Sequence, residues 1–461
     1  MHFFLFLNIL LISSTFFQNN LFTLCHLIYT DTFYMKRKWI RWVSWILLTP
    51  IILFVILMVL LYVPPVQNLL RREVTAYASK ATGMQIQVER IDLRFPLNLL
   101  VRGVEVIQQP DTLLSLESLN VRVQAWPLIK GKVEVDEVTL NRVAVNSADL
   151  MEGMKIKGVL GRFFLQSHGV DLSNEVAVIN QVELSDTHVQ LLMNDTTTTP
   201  KDTTASAPIN WKVALHQLKL KNVSFSMQLP ADSMRMATHI GEAAIDDAQA
   251  DLKNQYYDLK KFLLSGTSAS YDTGTAQPAE GFDASHIAVR DIRIALDSLL
   301  YKGRDMNAVI REFTMNERSG LSVTSLTGRA YSNDSVICVP GLKLNTPHSE
   351  IDLSAHTYWE LVNIPTTGRL SARLNAYIGK EDVMLFAGGL PESFKEAYPF
   401  RPLVIRAGTD GNLKEMQISR FTVDLPGAFA LEGGGLLENL ADSLTRTGTI
   451  GLKMTTQNLN F

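Results

Sequence analysis

Val138-Thr-Leu-Asn-Arg-Val-Ala-Val145, Val182-Glu-Leu-Ser-Asp-Thr-His-Val189 and Leu218-Lys-Leu-Lys-Asn-Val-Ser-Phe225 are three renderings of one template. Each opens with two apolar residues in alternation, passes a polar pair suited to a turn or bulge, and returns to apolar residues. Successive side chains of a strand point to opposite faces, so such alternation makes one apolar and one polar face. The same period marks Met84-Ile86-Val88, Leu119-Val121-Val123, Val133-Val135, Trp211-Val213-Leu215, Ile292-Ile294-Leu296 and Leu342-Leu344. It continues through Ile351-Leu353, Leu370-Ala372-Leu374, Met416-Ile418, Val423-Leu425 and Ile450-Leu452-Met454. No helical run of comparable length interrupts it, which predicts an all-β chain of antiparallel sheet with a wet side. The templates are 44 and then 36 residues apart, an unequal spacing that excludes a short-period solenoid and suggests a meander.

Upstream of the strands, Trp42–Leu70 carries no charged side chain, and Trp45–Val63 is long enough to cross a bilayer core as a helix. The predicted anchor residues are Trp45, Ile51, Ile52, Leu53, Phe54, Val55, Ile56, Leu57, Val59, Leu60, Leu61 and Tyr62. Lys36, Arg37, Lys38 and Arg41 precede them, and such basic clusters stay on the cytoplasmic side. A cleaved signal peptide is the alternative, but the run is too long, and Pro64–Pro65 is no small-residue cleavage site. The expectation is a retained single-pass signal anchor, with everything after Pro65 outside the inner membrane. Residues 1–34 lack a basic leader, and Met35-Lys-Arg-Lys reads as a natural start, so 1–34 is expected to come from an upstream start codon.

Four cations and Asp31 lie before Pro65, so of the total charge of −3 about −6 falls on residues 66–461. That gives no basic footprint for nucleic acid. With two cysteines, Cys25 and Cys338, no internal disulfide is expected in the exported part. Val66, Leu69, Leu70, Val74, Tyr77 and Ala81 form a helical stripe ending at Gly83, predicting an amphipathic helix over 66–82. Its stripe is expected to lie as a lid on a β-core, with a helix lying on the membrane surface as the alternative. Residues 194–208 cannot bury apolar surface and read as a polar linker. Asp195-Thr-Thr and Asp202-Thr-Thr there resemble bacterial O-glycosylation triplets, but motifs of three residues are weak signals and a bare flexible loop is the reading preferred. Pro391-Glu-Ser-Phe-Lys-Glu-Ala-Tyr398 predicts one or two helical turns. Gly433-Gly434-Gly435 lacks the lysine of a phosphate loop and reads as a hairpin turn or bulge. Histidines such as His168, His188 and His216 are scattered, and Glu89, Glu105, Glu117 and Glu134 fall on outward positions. No motif for a metal, cofactor or catalysis is present.

Thr82-Gly-Met-Gln-Ile-Gln-Val-Glu-Arg-Ile-Asp-Leu-Arg-Phe-Pro-Leu97 is followed by Val101-Arg-Gly-Val-Glu-Val, Asp111-Thr-Leu-Leu and Leu119-Asn-Val-Arg-Val. Trp126-Pro-Leu-Ile-Lys-Gly-Lys-Val-Glu-Val135 comes next. Together with the anchor and helix, over roughly residues 35–145, this resembles the AsmA-like family, and within it the TamB-type subunits of the translocation and assembly module. The resemblance implies an inner-membrane-anchored periplasmic protein whose elongated sheet curls into an open apolar groove that conducts phospholipid toward the outer membrane. The alternative it allows is a role in assembly and secretion of outer-membrane proteins, with an outer-membrane barrel as partner. The chain is much shorter than that family's members and lacks their C-terminal domain, so it is expected to be a truncated piece. Groove segments are expected at 84–193 and 209–461. The candidate lining is Ile86, Val88, Val121, Val123, Val133, Val135, Leu140, Val182, Leu184, Trp211, Val213, Leu218, Leu220, Val223 and Phe225. A sandwich of two sheets covering each other is the alternative to a groove.

Overall fold

The structure, a computed structural model, describes residues 62–95, 97–124, 127, 134–147, 153–171, 174–193, 210–364 and 366–457, with isolated positions between 45 and 60. The basic cluster at 36–41, Ile51, Phe54, Leu57, Leu61, Val133, residues 1–34 and the linker at 194–208 lie outside the described residues. Among the described residues no helix is long and apolar enough to cross a membrane. Trp45, Ile52, Leu53, Val55, Ile56, Val59 and Leu60 are helical and exposed. The chain divides into two compact units, residues 1–144 with 164–171, and residues 145–163 with 172–461. All twenty strands belong to one hydrogen-bonded sheet.

In the first unit α1 (Pro64–Thr82) ends at Gly83, whose φ of 70° lets its N–H bond Ser79 O at 3.0 Å. Then follow β1 (Gln85–Arg94), β2 (Asn98–Gln108), β3 (Asp111–Val123), most of β4 (Val135–Asn146) and residues 164–171 of β5 (Met154–Asp171). The first three strands form an antiparallel meander. The expected lid is corrected here. Leu69, Val74 and Tyr77 of the apolar stripe are exposed, while Gln67, Arg71 and Ser79 turn toward β1. Gln67 Nε2 donates to Leu93 O at 2.9 Å, and Arg71 Nη1 donates to Glu89 O at 2.9 Å. Ser79 Oγ accepts from Ile86 N at 3.1 Å. A bare strand edge is a row of unpaired polar groups, and the polar side of α1 satisfies that row. The physical reason for the reversal is that β1 offers α1 a polar edge, not an apolar face.

The second unit continues with β6 (Val176–Met193), β7 (Lys212–Leu229), β8 (Met234–Asp251), β9 (Tyr256–Asp272), β10 (His286–Lys302) and β11 (Asp305–Glu317). Shorter strands follow, β12 (Ser322–Val323), β13 (Ser325–Ser332), β14 (Val336–Asn345), β15 (Glu350–Tyr358) and β16 (Leu370–Ile378). The last are β17 (Leu403–Gly411), β18 (Glu415–Leu425), β19 (Phe429–Glu438) and β20 (Thr447–Thr456). Pairing is antiparallel between successive strands from β7 onward, β12 excepted as a short side pairing with β11. The pair β6–β7 is parallel, which corrects the expected meander. Val182 faces Leu218 and Leu184 faces Leu220, so the 36-residue spacing of the two templates is a register of parallel pairing.

The polar pairs inside the templates are bulges. Arg142, Asp186 and Asn222 have φ of 47°, 51° and 53°. Each bulge absorbs one residue, so apolar side chains on either side of it stay on the same face. In β7 the apolar pairs Val213/Leu215, Leu218/Leu220 and Val223/Phe225 recur every five residues. Asp247 (φ 53°) and Asp291 (φ 56°) repeat the device in β8 and β10. The Asn222 amide donates to Asp186 Oδ1 at 2.7 Å, tying two bulges together. The glycine triplet lies inside β19, opposite a bulge of β18 between Ile418 and Phe421. A Cβ at Gly434 would come within 2.7 Å of Ser419 O, so the backbones approach there as only glycine permits.

Beyond the short helix α2 (Trp359–Asn363), a compact core forms at one place among the described residues, where α3 (Lys380–Phe386) and α4 (Glu392–Ala397) meet the β17–β19 strands. Tyr398, Leu425 and Ala428 are buried there, with Val383, Met384, Phe394, Leu403 and Phe429 against them. The helix α4 starts after Pro391, as its sequence predicts.

Candidate functional site: the apolar face of the sheet

Directly paired residues on neighbouring strands point to the same side of a sheet, so the registers trace each face. In the second unit one row runs Leu184, Leu220, Ala243, Leu264, Ile294 and Phe313 across β6 to β11. The neighbouring row is Val182, Leu218, Ile245, Phe262, Leu296 and Ile310. Further along, Leu326, Leu344, Ile351, Ala376, Ile405, Val423, Leu431 and Met454 form a row of eight across β13 to β20. Sequence alternation within single strands thus adds up to continuous apolar stripes.

The other face is largely polar. Glu183 pairs with Lys219, and His188, Ser224, His239 and Ser268 form one row there. Ser224 Oγ lies 2.9 Å from His239 Nδ1. His216 is an exposed strand residue whose Nδ1 lies 3.0 Å from Asp247 Oδ1. Among the described residues no three His, Cys, Asp or Glu side chains converge on a position that would hold a metal ion.

Of the candidate lining, Val182, Leu184, Val213, Leu218, Leu220, Val223 and Phe225 are brought to one face of the second unit. In the first unit Ile86 with Val106 and Leu114, Val88 with Val104 and Leu116, and Val121 with Leu99 form corresponding rows, and Val123 lies two residues beyond Val121. Val135 and Leu140 are half-buried in β4, and Trp211 is half-buried just before β7. What sequence reading missed is β8 and β9, whose stretch Arg235-Met-Ala-Thr-His-Ile-Gly-Glu-Ala-Ala-Ile-Asp246 has alanine where other strands carry valine or leucine. In β8 the five-residue repeat was the signal available, in the apolar pairs Ala243/Ile245 and Ala248/Ala250 with Ile240 one repeat before them.

Large side chains of the apolar face are open to solvent. Phe225 is 41% exposed, and Met236, Tyr257, Leu299 and Tyr301 are similarly uncovered. An open depression of about 670 Å³ spans β6 to β11, and its lining includes the polar-face row His188, Ser224, His239 and Ser268 as well as Phe225, so it does not mark the apolar face. Such a face can take up apolar matter by contact alone, without a polar group that selects it. Compared with known proteins, the sequence matches no family profile and no curated protein, so the AsmA-like resemblance rests on the residues quoted for it.

Proposed function

We propose that this protein is an inner-membrane-anchored periplasmic conduit whose apolar sheet face lines an open groove for phospholipid acyl chains. The observation that carries the reading is the continuous apolar row running strand after strand, Leu184 to Phe313 in one stretch and Leu326 to Met454 in another, mostly half-buried, with Phe225, Met236 and Tyr257 exposed on the same face of the first stretch. Each methylene removed from water contributes about 0.8 kcal/mol, so an acyl chain gains from every row it lies across. Because successive rows are chemically alike, no single position traps the chain. Headgroups remain in water, and no bond is made or broken.

A second reading is favoured by one observation. In β20 Ile450, Leu452 and Met454 are exposed, and this strand pairs only with β19 among the described residues. Such an edge accepts an added strand, as an assembly factor for outer-membrane barrel proteins would require.

The test places photo-crosslinking residues at Leu220 and Val223 on the apolar face and at Lys219 on the polar face, in cells. Phospholipid captured at the first two and not at Lys219 supports the conduit. Equal capture on both faces refutes it, and capture of a barrel protein at Leu452 without lipid elsewhere favours the second reading.

A further inference from the structure

The polar side of α1 is engaged on the β1 edge, and Leu69, Val74 and Tyr77 of its apolar stripe are exposed. Leu69 is 58% and Tyr77 72% exposed, with Val74 beside them. Phe95, in the β1–β2 turn, is 81% exposed and meets Tyr62 edge-on, with ring centroids 6.4 Å apart. Tyr62 and Val63 are all that separates Pro64 from Leu61, the last leucine of the Trp45–Val63 span. Tyr62 N and Val63 N still bond back to Val59 O and Leu60 O. Val63 itself is extended (φ −82°, ψ 130°), so a helical course is broken there and α1 takes its own direction.

We propose that α1 and the β1–β2 turn form an interfacial foot, with Leu69, Val74, Tyr77 and Phe95 seated in the headgroup layer of the bilayer that Trp45–Val63 crosses. This rests on the anchored reading of that run. Continuity of the chain identifies the occupant. Leu69 follows Leu60 by only nine residues, and because the helical course is broken at Val63 the length of α1 does not carry Leu69 straight out of the headgroup layer. Phe95 reaches the same level independently, through its contact with Tyr62. Amphipathic helices of this kind seat about 5–10 Å into the boundary of headgroups and acyl chains, where tyrosine is favoured. Glu73 lies in the same band and is exposed, which keeps the helix at headgroup depth and out of the acyl interior. Through Gln67, Arg71 and Ser79 the foot would hold the β1 edge directly over the membrane surface.

The experiment uses the full chain carrying Cys25→Ser and Cys338→Ala, in vesicles of phosphatidylethanolamine and phosphatidylglycerol. Single variants Leu69→Cys, Val74→Cys, Tyr77→Cys and Phe95→Cys bear nitroxide labels. Asn68→Cys and Arg72→Cys serve as water-facing controls and Ile56→Cys as the anchor control. The expected result is a ratio of oxygen to nickel-chelate collision rates several-fold higher at 69, 74, 77 and 95 than at 68 and 72. If those four match the water controls while 56 reads as lipid, the foot is refuted and the anchor stands. If 56 also reads as water, both fall. Lipid transfer does not enter either readout, so failure of the conduit leaves this measurement intact.

Discussion

Replacing Phe225 by aspartate puts a charge in the middle of the apolar face, opposite Val189 on one side and Thr238 on the other. Fully burying a phenylalanine is worth about 1.5–3 kcal/mol, and Phe225 is already 41% exposed. Roughly three-fifths of that value is therefore at stake, about 1–2 kcal/mol, and this is an upper bound because unfolded chains bury some surface themselves. Poor strand propensity of aspartate adds up to about 1 kcal/mol. The carboxylate still reaches water, so no desolvation penalty follows. Leu425, 1% exposed in the core beside Tyr398 and Ala428, gives the contrast. Leu425→Asp combines a cavity cost of about 2–5 kcal/mol with an unpaired buried charge costing several more. Domains are stable by about 5–15 kcal/mol, so the first variant stays folded and the second loses the region around its core. Urea-dependent protease resistance of the second unit reads the folding, and mass spectrometry of co-purified phospholipid reads the function. Phe225→Asp should keep its protease resistance and lose bound lipid. Unfolding comparable to Leu425→Asp would mean a sealed face, and a folded variant with undiminished lipid would mean that the acyl chains run elsewhere. Either result refutes the reasoning.

Two further outcomes follow from the strand devices and the loops. Asn222→Val forces a β-branched residue to hold φ near 53°, costing about 1–2 kcal/mol besides the lost bond to Asp186, whereas Asn222→Gly loses the bond alone. A lower thermal midpoint for valine than for glycine is expected, and equal midpoints would count against the bulge as the reason for asparagine. The backbone N–H groups of Ala279 and Ser285 and the ring of His286 hold the Asp283 carboxyl at about 2, below its ordinary 3.8. A carboxyl depressed on folding stabilises above its unfolded value and loses that contribution as pH falls through the folded one. The loop at 279–286 should therefore loosen between about pH 4 and pH 2, and an NMR titration placing Asp283 near 3.8 would remove the basis for this.

Legibility of the fold in the sequence varied with how local each cause was. Alternation exposed most strands, and Gly83 and Pro391 marked helix boundaries, because each depends on a few neighbouring residues. The parallel pairing of β6 with β7 escaped, although the two templates 36 residues apart contain its register, because alternation is blind to strand direction. Alanine-rich β8 escaped because small residues give a weak apolar signal, even where Ala243 sits between Leu220 and Leu264 in a continuous row. The apolar face was legible in Val182, Leu184, Leu218 and Leu220, since their bulges keep successive pairs on one side. The orientation of α1 was not, because periodicity locates a stripe without saying whether protein or membrane receives it. Only the polar edge of β1, set by pairing with β2, decides which side of the helix turns inward.

The five-residue rhythm of β6 to β9 bears on how such a sheet can change length. Inserting or deleting one residue in a plain strand turns every later side chain to the wrong face. Here, adding five residues, one apolar pair with its bulge, would extend a strand and leave both faces intact. The hazard is the converse, since a neighbour displaced by five residues would still match apolar to apolar. What distinguishes the correct alignment is the polar punctuation, in which Asp186 meets Asn222, His216 meets Asp247, and Gly161 leaves room for Asp186. The apolar rows thus supply adhesion that is nearly indifferent to position, and the bulge residues supply the address.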